Sequence, residues 1–220
     1  MHHTHSTLYM GAIAGVITLL ASTASHADII GGVDFPDGAT SFADAVVSYD
    51  PAFNGGTVPS TDYQVTGEAL GVPDYTSGPG IDFVSLGAGG RIVLRFTDNS
   101  LTGSGDSADD LWIFEIGPDV EDTFVEISKD GSTWVSVGKV TGSTRGVDID
   151  AYGLGFTDFF SFVRLTDDIN EGNTGGNTVG ADIDAVGAIS SAPPVDVPEP
   201  TSLALLALGL AGFGWVRRRS

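Results

Sequence analysis

Carboxylates dominate the chemistry open to this chain: 23 aspartates and six glutamates stand beside four histidines and no cysteine. The histidines are His2, His3, His5 and His26, so nothing beyond position 26 offers an imidazole or a thiol. That removes histidine general-base catalysis, cysteine nucleophiles and the usual zinc ligand sets. No G-x-S-x-G turn is present, and a serine nucleophile would lack its usual partner. Carboxylates alone can gather a hard cation or, as a pair, hydrolyse a glycosidic bond. Asp182 and Asp184 are two residues apart, which in a strand puts both on one face, opposite Ile183 and Ala185. Like charges held that close need a cation between them or water around them. The expectation is one structural Ca²⁺ held by Asp110, Asp182 and Asp184, with Asp98 or Asp167 assisting. The competing expectation is that these are solvated turn acids. Asp168-x-Asn170-x-Gly172 is only a partial calcium loop, lacking the third ligand position and the distal Glu. Among so many acids some pair will always look suitable for hydrolysis, so no catalytic residue is assigned and a non-enzymatic protein is expected.

Two tryptophans are candidate sugar platforms, Trp112 and Trp134. Ser128-x-Asp130-Gly131-x-x-Trp134 resembles the Asp-box of propeller sialidases, without the residue that motif places between Asp and Gly. Its simpler reading is a hairpin whose Trp134 covers the core. Glu115 is the odd polar residue of an apolar strand and needs a buried partner, for which Arg164 is the candidate.

The elements that must position these groups have period two. In 91–96 the residues Ile92, Leu94 and Phe96 share one face, with Arg91 and Arg95 on the other. The run 111–116 is apolar on both faces, as in a central strand. Segments 123–128 and 133–140 flank Lys129-Asp130-Gly131-Ser132, a hairpin signal. Strands are also expected over 159–165 and 183–189, with weaker signals at 45–49 and 82–86 and a trace of helical period over 42–47. Many short strands separated by turns predict an all-β fold, a jelly-roll-type β-sandwich over 28–190.

The ends differ from this middle. Residues 8–21 are an apolar run followed by small residues, as in a secretory signal cleaved after Ala27, although no Lys or Arg precedes Arg91. An uncleaved N-terminal anchor is the alternative. Residues 201–216 form a second apolar run, closed by Arg217, Arg218 and Arg219, which reads as a short membrane helix with its basic end in the cytoplasm. Residues 191–200 form a proline-rich linker. The expected order is thus signal peptide 1–27, sandwich 28–190, linker 191–200 and transmembrane helix 201–220. The net charge is −20, and between 28 and 190 only six basic residues face 27 acidic ones, so nucleic acid is excluded as a partner.

Val197-Pro198-Glu199-Pro200, the apolar run and the arginine triplet, in that order, resemble the PEP-CTERM sorting signal of Gram-negative bacteria. The resemblance implies a membrane exosortase as partner, a membrane anchor before sorting, and a final place at the cell surface or in the extracellular matrix. Such families usually accompany exopolysaccharide, which makes polysaccharide a further expected partner. A second succession covers the middle: 69–74 (ALGVPD), Val84-Ser85-Leu86-Gly87 with Gly89-Gly90, Asp98-Asn99, Asp110 to Glu115, Ser128 to Gly131 with Trp134, Val163 to Asp167, and Asp182 to Val186. It is similar to uncharacterised secreted surface domains of galactose-binding-like, discoidin type. That resemblance implies a sandwich fold and strengthens the calcium expectation without naming a ligand. Taken together, the expectation is a surface or matrix protein that binds carbohydrate weakly or is structural. The alternatives are a secreted glycan hydrolase using paired carboxylates, and an ice-binding or purely structural matrix protein.

Overall fold

The computed structural model describes residues 28–77, 80–117, 121–143 and 145–195. Alternation of apolar and polar residues forms the elements. In chain order they are β1 (Asp28–Ile30), β2 (Val33–Phe35), β3 (Ala45–Asp50), β4 (Val84–Ser85), β5 (Arg91–Arg95), β6 (Ser100–Leu101) and β7 (Leu111–Glu115). They continue with β8 (Asp122–Ser128), β9 (Val135–Thr141), β10 (Arg145–Val147), β11 (Phe162–Asp167), β12 (Asp182–Ala188) and β13 (Ser191–Ala192). Helix is confined, among the described residues, to four single 3₁₀ turns.

Two larger sheets carry the molecule, one ordered β10-β7-β12-β4 and the other β3-β5-β11-β8-β9, with every pairing antiparallel. They share one apolar core. Ile92, Leu94, Val125, Ile127, Val163 and Leu165 come from the five-stranded sheet, and Leu111, Ile113, Ile183 and Val186 from the other. The fold is therefore all-β, as the alternation predicts. The region 42–47 is not helical: a 3₁₀ turn ends at Ser41 and β3 begins at Ala45.

The run 111–116 proves apolar on both faces for a visible reason. Leu111 and Ile113 face the main core, while Trp112 and Phe114 lie under a second cluster built from Phe35 and Phe42, beside the β1–β2 hairpin. The Phe35 and Phe42 rings pack at a tilt, with centroids 4.6 Å apart. That small hairpin closes the outer face of the four-stranded sheet. Among the described residues, no hairpin covers the outer face of the five-stranded sheet in this way.

The hairpin predicted around Asp130-Gly131 is present, with a longer loop than two residues. Asp130 accepts N–H bonds from Ser132 and Thr133, each at 2.8 Å, and the Ser128 hydroxyl accepts one from Gly131 at 2.9 Å. These bonds delay β9 until Val135. They hold the Asp130 carboxyl well below the usual carboxylate range. Between Ser136 and Lys139 the strand gains one residue over β8, and Gly138 supplies the positive φ (+95°) that this bulge needs. The two flanking helices expected at 1–27 and 201–220 lie outside the described residues. Among the described residues no helix is long and apolar enough to cross a membrane.

Candidate functional sites

The pairing of β10 beside β7 brings together acids that are distant in sequence. Asp110 opens β7 and is fully buried. Its Oδ1 accepts the Ser104 N–H at 2.7 Å and its Oδ2 the Ile149 N–H at 2.9 Å. Its own N–H reaches Val147 O at 2.9 Å, and its carbonyl accepts from Ile189 at 2.7 Å. One aspartate thus ties the start of β7 to the ends of β10 and β12. Asp148 and Asp150 lie next to it, and one carboxylate oxygen from each of the three falls within 4.8 Å of the others. Asp150 Oδ2 accepts the Gly105 N–H at 2.9 Å. A Cβ on Gly103 would stand 2.5 Å from Leu154 O and 2.8 Å from Asp150 Oδ2, so glycine there lets a carbonyl and a carboxylate approach the same point. Burial, then the charges of Asp148 and Asp110, push the neighbouring Asp109 carboxyl up. The donors are all oxygens, several of them anionic, as a hard cation requires.

The other expected calcium ligands lie elsewhere. Asp182 and Asp184 do not act as a pair, because β12 gains a residue over β7 between Ile183 and Ala185, and Asp184 is that residue. Asp182 accepts a bond from the Ser85 hydroxyl and has Glu121 and Asp167 as charged neighbours; burial first, then those charges, push it up to about 7. Asp167 accepts N–H bonds from Gly89 at 2.7 Å and Ala181 at 2.8 Å, and burial raises it to about 6. Asp184 accepts from Asp74 at 3.2 Å and Tyr75 at 3.4 Å, and burial raises it to about 6. Asp98 sits near Asp44, away from all of these, and is raised by burial and by that neighbour. The structure therefore brings Asp167 and Asp182 together and leaves Asp110, Asp184 and Asp98 each in a different group. Asp148 and Asp150 were missed by sequence reasoning, although they show the same two-residue spacing as Asp182 and Asp184. Their partner Asp110 is 38 positions away from the first of them, and only the β7–β10 register connects them.

Glu115 and Arg164 do not pair, since they lie on different sheets. Arg164 stands opposite Glu126 on β8 and binds its Oε2 through Nε at 2.6 Å. Trp134 does not cover the core. It is half-buried, and the Arg164 guanidinium lies 4.1 Å from its ring centroid. It borders a groove on the outer face of the five-stranded sheet. Trp112 is half-buried too, but packs on Phe114 and the cluster beneath the β1–β2 hairpin.

This arrangement defines a class: an acidic antiparallel β-sandwich whose described part leads directly into a sorting segment. Residues 196–219 match the PEP-CTERM protein-sorting motif, which includes Val197, Pro198, Glu199, Pro200, Arg217, Arg218 and Arg219. The motif supports export through exosortase-type sorting, with membrane anchoring, in a Gram-negative bacterium. No curated protein matches the chain. A solved structure, the C-terminal domain of a chitobiase from Bacteroides fragilis, is similar at 13% identity with a TM-score of 0.38, over 72% of this chain and 97% of that one.

Proposed function

We propose that this chain is a non-enzymatic surface or matrix protein: the sandwich is the cargo, and the segment from Val197 onward delivers it. The observation that carries the reading is the sorting motif at 196–219, which begins four residues after β13 ends at Ala192. By this reading an exosortase acts at Pro198-Glu199-Pro200, and the basic triplet Arg217, Arg218 and Arg219 holds the anchor's cytoplasmic end. The sandwich is of jelly-roll, discoidin-like type and binds extracellular polysaccharide weakly. In the native host, Glu199→Ala should keep the protein in the membrane fraction at full length, while the unaltered chain reaches the surface or matrix. Equal distribution of the two would remove the sorting role from this motif.

The same reading keeps one structural Ca²⁺, now placed at Asp110, Asp148 and Asp150, with Leu154 O adjacent. Bound calcium would neutralise this cluster and join the β7, β10 and 150–154 segments. At a free concentration a hundredfold above Kd the unfolding midpoint should rise by about 5–10 °C. An unchanged midpoint on adding Ca²⁺ would refute the site.

A further inference from the structure

The outer face of the five-stranded sheet, which no hairpin covers among the described residues, gathers the cations of an acidic molecule. Arg91 and Arg95 lie on the outer side of β5, and Arg164 projects from the same side of β11, opposite Val93. Lys139 of β9, opposite Phe124, shares that side, so four of the six basic residues between 28 and 190 lie on one sheet face, with Lys139 bound there to Asp122 and Asp168. Two carboxylates serve Arg91 and Arg164: Glu126 Oε2 is 2.6 Å from Arg164 Nε and 4.0 Å from Arg91 Nη2, and Asp50 adds its charge beside Arg91. Arg95 has no carboxylate partner among the described residues, and its buried Nε–H has no acceptor; its guanidinium lies 5.4 Å from the Phe162 centroid. Burial and the adjacent Arg164 cation press Arg91 below its ordinary range, against the opposing pull of Glu126 and Asp50.

Aromatic walls bound the same place. The turn after β3 carries Phe53, whose ring centroid is 3.6 Å from the Arg91 guanidinium carbon. The β8–β9 loop carries Trp134 against Arg164. Between them lies a groove of about 390 Å³, floored by Val47, Ser48 and Val93, with Asp50 at the Phe53 end as the carboxylate of its lining. Arg91 and Arg164 each spend the Nε–H, on Thr166 Oγ1 at 2.9 Å and on Glu126, which leaves terminal N–H donors for an incoming acceptor.

We propose that this groove docks a carboxylate-bearing glycan, a chain of uronic acid sugars. Planar guanidinium forks match carboxylates in two parallel bonds, and aromatic faces accept the apolar faces of sugar rings. A peptide is the poorer occupant: its main chain would pair along the free side of the edge strand β3, away from the guanidinium and aromatic side chains that line the groove. The inference rests on the polysaccharide-binding reading above and specifies its ligand.

Titration of the purified protein with polygalacturonate tests this. Saturable binding is expected, weakened by salt and at least tenfold tighter than to an uncharged galactan of equal length. Arg91→Gln and Trp134→Ala should each weaken it at least fivefold, and Arg145→Gln, on the other sheet, should leave it unchanged. Should the groove variants unfold, Val47→Glu replaces an exposed side chain and should abolish binding without altering the thermal midpoint. Absence of polygalacturonate binding, binding indifferent to groove variants, or equal binding of poly-glutamate would overturn the proposal. Binding of the neutral galactan alone would overturn it and leave the broader sugar reading standing. Failure of every glycan would remove both.

Discussion

At the scale of single residues, buried carboxylates divide into those that hold the chain and those that strain it. Asp110 holds it: two backbone N–H groups depend on its oxygens, in a position closed to water. Asp110→Ala should cost about 3 kcal/mol, since each orphaned buried donor costs roughly 1–3 kcal/mol, and a thermal or urea melt would read it. Asp182 strains it. Its folded carboxyl titrates at about 7, against 3.8 in the unfolded chain, so the folded state binds the proton more tightly. The stabilisation from protonated Asp182 is complete below about pH 4 and is lost as pH rises through 7. Asp167 and Asp184, at about 6, act in the same direction. The protein should therefore melt at a higher temperature at pH 5 than at pH 8. Asp182→Asn should raise the midpoint at pH 8 and change it little at pH 5. A midpoint that climbs steadily from pH 5 to 8 would contradict this.

At the scale of elements, alternation was enough to locate β5, β7, β8, β9, β11 and β12 to within about three residues at either end, because burial of one strand face leaves a period in the sequence. What alternation cannot carry is register. The bulge that separates Asp182 from Asp184 arises where β12 meets β7, and the trio around Asp110 arises where β10 does. Short strands such as β6, β10 and β13 have too few residues to show a period, so they were not legible. Trp134 was misread for a related reason: its hairpin was visible, but which side of the sheet the loop leans toward depends on Arg164, a partner from β11. The bulge in β9 gives a clean test. Gly138 has φ +95°, and a Cβ there would run into the Tyr152 hydroxyl. Gly138→Ala should destabilise by about 1 kcal/mol or more, measured by denaturant titration. A neutral effect would mean that β9 can shift its register without cost.

At the scale of the whole molecule, charge and apolarity are separated along the chain. Two apolar runs lie toward the ends, and the acidic middle forms a sandwich from aspartate-rich turns and period-two strands, without cysteine. A net charge of −20 keeps such a surface soluble and repels anionic partners except where cations gather, as on the face of β5 and β11. The sorting motif at 196–219 gives this distribution its purpose: the middle is what export delivers. The most direct test is intact-mass analysis of the protein isolated from its native host, with cell fractions kept apart. The account predicts a species found outside the cytoplasm that starts at Asp28 and is cut at or near Pro198-Glu199-Pro200. A full-length polypeptide from Met1 to Ser220, recovered only from cytosol, would contradict it.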